Sequence, residues 1–395
     1  MTNVQKQVTD MNAGWYNVVS NALNIDQSTF RLAQGTLGLQ SSDNSGVYLM
    51  SDSEPSGSAV QYYDAGGMSR RSENYNMLLH AISPETGANI QSILGNDYAN
   101  WMNYYNAYMK ANPLTPDTYE QILIKFAGAR LAPNQATKVI ALIKKAQTSP
   151  LSMAIDQYND KSNKMQFFDS AGQPYSLRKY SIDIQNVTAA LNRSSINGKG
   201  GVTIDFDSST MDTSLSSSSA TGSASGFFDI FSGGAGGNFT KTNQTAASSK
   251  FTVKGTIGQN ATISTQPVGW FDSSEFNRAY SGKTDAAIWD PQANAGDWDS
   301  FFDKNTGSLA RHVSQLIFVS DYDITVTSHA SYSTSDFTQI QANATFGVWP
   351  FFSATANTTH TTSFTHNQDG SLSTRHVLPK NVPQIWGVNV LEAPN

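Results

Sequence analysis

The chain has 395 residues, no cysteine and a formal net charge of −6, and only 14% of it is charged, against about 25% in an ordinary soluble protein. Disulfides, thiolate metal sites and a cysteine nucleophile are therefore excluded. With no Lys/Arg patch denser than Arg70-Arg71 or Lys144-Lys145, nucleic acid is not expected as a partner.

In chain order, Met1-Thr-Asn-Val-Gln-Lys carries no basic start leading into an apolar run, so no secretory signal is read there. No 18-residue apolar stretch follows that would make a membrane-spanning helix. Val4, Val8, Met11, Trp15, Val18, Val19 and Leu23 fall at helical spacing. A Gly-, Ser- and Asp-rich stretch from Ser41 to Gly67 reads as a long loop, and Tyr75 to Ile82 and Tyr98 to Met109 read as helices. Thr115-Pro116-Asp117 is a helix-start signal. That helix turns Ile122, Leu123 and Phe126 inward and stops near Pro133. Another, from Asn134 through Val139, Ile140, Leu142 and Ile143, ends before Pro150.

From about residue 166 the pattern becomes β. Lys179 to Gln185, Gly201 to Asp207, Phe251 to Ile257 and Asp323 to Ser328 alternate, and Leu316-Ile-Phe-Val is continuously apolar. The expected class is α+β: a mainly helical domain, 1–165, then an antiparallel, sandwich-like β domain, 166–395. Within the latter, two stretches run in parallel at an offset near 120 residues. Ile204-Asp-Phe-Asp-Ser matches Ile324-Thr-Val-Thr-Ser, Gly226-Phe-Phe-Asp-Ile-Phe-Ser matches Gly347-Val-Trp-Pro-Phe-Phe-Ser, and Gln266-Pro-Val-Gly matches Gln384-Ile-Trp-Gly. The repeat units, 203–270 and 323–388, are joined by a connector, 271–322, with Trp289, Trp298 and a short helix near Phe301-Phe302.

Each unit carries an aromatic knot between polar, small-residue stretches, Thr338 to Thr345 and Ser353 to His360 in the second copy being read as strands. The knots are Phe227, Phe228, Ile230 and Phe231 in one copy and Val348, Trp349, Phe351 and Phe352 in the other. In general character these segments resemble the membrane-inserting hairpins of β-pore-forming toxins, although no specific family motif is matched. The resemblance implies hairpins that fold in a soluble protein and then pair between subunits to close a barrel. Aromatic corners plugging a sandwich core, or contacts with a protein partner, are the other readings of the knots. Two features weigh against lipid: Asp229 sits within the first knot, and the Ala354/Ala356 face is weakly apolar.

Chemistry is sparse. Asp297, Asp299 and Asp303, with Asp290 nearby, are the candidate cation ligands, for calcium, but Phe301 occupies a ligand position and the closing Glu is missing. His80, His312, His329, His360, His366 and His376 form no zinc pattern, and neither a nucleophile elbow nor a phosphate loop is present. Seven Asn-x-Ser/Thr sites are the chance yield of this composition. The expectation is a non-enzymatic protein with no cofactor other than the calcium candidate. It is expected to oligomerise with itself through the β module and to act on membrane lipid or a surface receptor. Its place is extracellular or at the cell surface, reached by a non-classical route after synthesis in the cytoplasm. A self-assembling tube, sheath or layer is the second reading. A carbohydrate binder or hydrolase using Trp289 and Trp298 is the third.

Overall fold

The structure is a computed structural model, and it describes residues 3–34, 44–55, 63–64, 69–83, 94–112, 117, 119–147, 149–169, 171–196, 201–214, 249–285, 288–290, 296–343 and 361–394. The described residues form a mixed α+β molecule. Its helices are α1 (Asn3–Ala22), α2 (Ser45–Asp52), α3 (Arg71–Ala81), α4 (Tyr98–Ala111), α5 (Tyr119–Arg130), α6 (Pro133–Gln147), α7 (Pro150–Asn159), α8 (Ile184–Ile196), α9 (Ser273–Ser281), α10 (Trp298–Phe302) and α11 (Thr334–Asn343). Its strands are β1 (Phe30–Gln34), β2 (Tyr63–Asp64), β3 (Lys164–Phe168), β4 (Pro174–Arg178), β5 (Val202–Asp207), β6 (Phe251–Ser264), β7 (Arg311–Ser328), β8 (Thr361–His366), β9 (Leu372–Leu378) and β10 (Gln384–Glu392). Eight strands make one sheet in the order β2-β1-β10-β7-β6-β5, with β9 and β8 added on the other half of β7, and β3 pairs with β4 separately. All the pairings are antiparallel except β1 with β2.

The 18-residue β7 organises this sheet. One of its flanks pairs with β6 over almost its whole length. The other flank pairs with β10 up to Val319 and with β9 from Tyr322 onward. The change of partner falls at Asp321, which has φ 55°. Opposite it the β6 register skips Gly258, where an added Cβ would lie 2.3 Å from Asp321 Oδ2. The Cβ would also lie 2.9 Å from Asp321 O, so a side chain there would need the Asp321 carboxylate to turn away and the two strands to ease apart.

Burial changes at the same place. Leu316, Ile317, Phe318 and Val319 are all buried, Ile317 and Val319 in one core cluster and Leu316 and Phe318 in another. A strand covered on both faces reads as a continuous apolar run, as this one does. Beyond Asp321, Tyr322, Ile324 and Val326 are buried while Asp323, Thr325 and Thr327 are not. Among the described residues that half of the sheet buries one face and leaves the other half-exposed.

Residues from both sides of position 165 share these cores. Trp15 of α1 packs on Phe206 and Trp386 at ring separations of 6.1 and 6.0 Å, and Phe30, Arg31 and Leu32 of β1 pair with β10. Helices α4 to α6 form a cluster of their own, with Trp101, Ile122, Leu123, Phe126, Val139 and Ile143 buried. Leu142 of α6 is exposed.

Three local expectations are corrected. The stretch Ser41 to Gly67, read as loop, contains α2, with Val47, Tyr48 and Met50 buried. Lys179 to Gln185, read as a strand, pairs only through a bridge from Tyr180 to Pro267 before α8 begins. Its alternation is real burial of Tyr180, Ile182 and Ile184, but Asp183 accepts from Asn186 N and starts a helix instead. Thr338 to Thr345, read as a polar strand, is helical in α11 as far as Asn343. Ser333 N donates to Asp336 Oδ2 while Asp336 N donates to Ser333 Oγ, a reciprocal cap that outweighs the weak strand preference.

Candidate functional site

The repeat is realised as two hairpins lying side by side. In the first, Ile204 pairs with Gly255 and Phe206 with Val253; in the second, Ile324 pairs with His376 and Val326 with Thr374. The registers agree with the offset seen in the sequence. The hairpins adjoin directly, because β6 pairs with β7 and places Phe251 opposite Ser328. The third matched pair diverges: Gln384 opens β10, whereas Gln266 follows the end of β6.

Neither hairpin has a short turn. Between its two strands the first carries 43 residues, Ser208 to Lys250, and the second also carries 43, His329 to Ser371. Asp207, Phe251, Ser328 and Leu372 lie in neighbouring rows of the ladder, so both excursions leave the same end of the sheet. Their charged residues are few: Asp212, Asp229, Lys241 and Lys250 in the first, Asp336 and Asp369 in the second. The knot residues Phe227, Phe228, Ile230, Phe231, Val348, Trp349, Phe351 and Phe352 lie within these excursions but outside the described residues.

The stems are tied down polar group by polar group. Ser208 N donates to Phe251 O at 2.9 Å and Phe251 N to Ser208 Oγ at 2.8 Å. His329 N donates to Lys250 O at 2.9 Å, carrying the β6–β7 ladder one step past the strands. Lys250 Nζ stands 2.6 Å from Asp207, and that contact with the Ser209 hydroxyl holds the Asp207 carboxyl down at about 2. The root of the first excursion lies on α1, where Asn17 Nδ2 donates to Asp212 O at 2.7 Å and to Ser214 O at 3.1 Å. In the second, α11 is docked by Ile340, 1% exposed, and by Phe337, whose ring stacks on His366 at 5.4 Å. His366 Nε2 also bonds Tyr332 O at 2.9 Å. The solvent face of the hairpins carries Asp205 beside Lys254 and Arg375 paired with Asp323.

Three of the four carboxylates considered for calcium serve local structure. Asp297 caps α10 by accepting from Ser300 N at 3.0 Å, Asp303 accepts from Asn305 N, Thr306 N and Thr306 Oγ1, and Asp299 faces Lys283 Nζ at 3.3 Å. The Asp290 backbone N–H donates to Ala81 O. Among the described residues no three His, Cys, Asp or Glu converge as a metal site. The connector tryptophans are engaged too: Trp289 Nε1 donates to Gly282 O and its ring stacks on Phe301, while Trp298 Nε1 donates to Tyr280 O beneath Lys283. No described helix is long and apolar enough to cross a membrane.

Sequence reasoning missed β8, which pairs with β9 on its outer flank, and the fork of β7 at Asp321, opposite Gly258. Gly255 and Gly258 inside an alternating strand were the available signal, since glycine there marks close backbone approach. No protein-family model, curated protein or solved structure matches this chain.

Proposed function

We propose that the protein is a β-pore former that oligomerises on membranes and inserts both excursions as hairpins. The observation that carries this reading is the pair of equal, charge-poor excursions leaving one end of the sheet from two hairpins in matching register. A ladder already formed at the stem can be continued outward without changing register. Two arms of about 20 residues reach roughly 65 Å at the rise of a strand, well beyond the ~30 Å hydrocarbon core. Lipid satisfies no backbone group, so four such strands per subunit are stable only when copies pair edge to edge into a closed barrel. The aromatic knots then lie at the hairpin tips, where they would meet lipid first, and Asp229 would pass through to the far surface. The protein acts outside the cell that makes it, on lipid alone or with a surface receptor. Its N-terminal helical part and β part are an assembly platform rather than a catalytic one.

Dye release from liposomes, with negative-stain images before and after lipid is added, tests this. Release accompanied by lipid-dependent rings is the expected result. The second reading, a tube, sheath or layer without membrane activity, is favoured by edge strand β5, whose outer flank has no partner strand among the described residues. Filaments in buffer with no release would establish that reading and end the first.

A further inference from the structure

At the far end of the same sheet lies a cavity of about 620 Å³, lined by Arg71, Ser264, Ser273, His312, Gln315 and Asn389 among others. Such a volume suits a small organic ligand. Arg71, at the first turn of α3, is 7% exposed, and its guanidinium lies 4.8 Å over the Phe271 ring. Among the described residues it makes no hydrogen bond and no ion pair. Asp52 acts on it electrostatically, but the Asp52 oxygens accept from Ser72 N, Ser72 Oγ and Tyr180 OH. Among the described residues no acidic side chain lines the cavity. Asp272, just before Ser273, has its carboxylate turned to the N–H groups of Ser274 and Glu275.

His312 faces the same space. Burial, and then the charge of Arg71, pushes its pKa down to about 3, so it is neutral at ordinary pH. Around these two stand amides and hydroxyls already oriented by one another: Asn389 Nδ2 donates to Gln315 Oε1 at 2.7 Å, and Ser314 Oγ donates to Asn389 O at 3.0 Å. A buried guanidinium with no carboxylate in direct contact is costly and gains from an oxyanion, which it can grip with two parallel bonds.

We propose that this cavity binds a small phosphorylated or carboxylated molecule, with Arg71 holding the oxyanion and His312 and the Gln315–Asn389 rim holding its polar body. β6 runs from the excursion stems at Phe251 to the cavity at Ser264, about 45 Å at the rise of a strand. The cavity therefore stands away from any bilayer the excursions enter, which favours a soluble anion over a headgroup. The preference for a soluble anion over a headgroup rests on the pore reading; the anion site itself does not.

Titration calorimetry with inorganic phosphate and glycerol 3-phosphate, and co-sedimentation with vesicles with and without anionic phospholipid, test it on the full chain. Wild type is expected to bind at least one soluble anion, R71M to bind it at least tenfold more weakly, and H312Q to weaken it severalfold. R71M should melt no lower than wild type without ligand, because it removes a buried charge that no carboxylate contacts directly while keeping bulk over Phe271. Binding only to anionic vesicles, lost in R71M, would support the site with a lipid headgroup as its source. Equal binding by wild type and both variants, or binding of no probe, would overturn it.

Discussion

Helix α11 and strand β8 occupy the second excursion, so if the excursions insert, both have to leave their places first, α11 from its seat on the core and β8 from β9. Ile340→Ala tests that order of events. The Ile340 side chain is 1% exposed in the cluster that holds Tyr332 and Leu372, with Phe337 and Phe364 packed at its edge. Truncating a buried isoleucine to alanine costs about 2–5 kcal/mol. The whole of that loss falls on the docked form of α11. Taking the lower figure, about 2 kcal/mol, the undocked fraction rises roughly 30-fold. The variant should therefore melt at a lower temperature and yet release dye from liposomes faster, by about tenfold or more when undocking limits the rate. Thermal unfolding followed by circular dichroism and release kinetics at 25 °C on the same preparation read the two effects. Release that is unchanged, or that falls in step with stability while the protein is still folded, would refute the reasoning.

Trp349→Ala and Phe228→Ala should melt like wild type and lose liposome co-sedimentation if the knots are lipid-facing tips; a loss of about 3–5 kcal/mol in urea titrations would instead mark them as core corners. Gly255→Val should cost about 1–3 kcal/mol or more, because its Cβ would meet Asp323 O at 2.2 Å and Ile324 Cα at 2.6 Å, both main-chain atoms; a shift in urea midpoint equivalent to under half a kilocalorie would show that the β6–β7 approach is looser than described. His312 sets a pH dependence. The unfolded chain takes up its proton near 6.5 while the folded site refuses it until about 3, so stability falls as pH drops through that window, by up to about 1.4 kcal/mol per pH unit. Urea titrations at pH 7 and pH 5 should show His312→Gln losing less stability than wild type, and equal losses would count against a neutral buried His312.

Much of the β architecture is written locally. The alternation of Ile204-Asp-Phe-Asp and Ile324-Thr-Val-Thr becomes one-sided burial, the run Leu316-Ile-Phe-Val becomes a strand covered on both faces, and the repeat offset becomes a matching register. These follow from the sequence because burial period is a property of a few neighbouring residues. The short helix at Phe301-Phe302 was legible for a related reason: its cap, Asp297 with Ser300, is local too. Local signals also misled where two competed. Thr338-Gln-Ile-Gln reads as a strand until the Ser333–Asp336 cap is weighed, and Lys179 to Gln185 alternates in burial without a strand beside it to complete a ladder. Only the tertiary structure decided that α1 and β1 join the C-terminal sheet, that β7 changes partner at Asp321, and that Arg71, Ser264, His312 and Asn389 meet around one cavity. Those groups come from separate elements, and no period or spacing links them. What brings them together is the burial of distant apolar faces against one another, a long-range choice made by the folded chain as a whole.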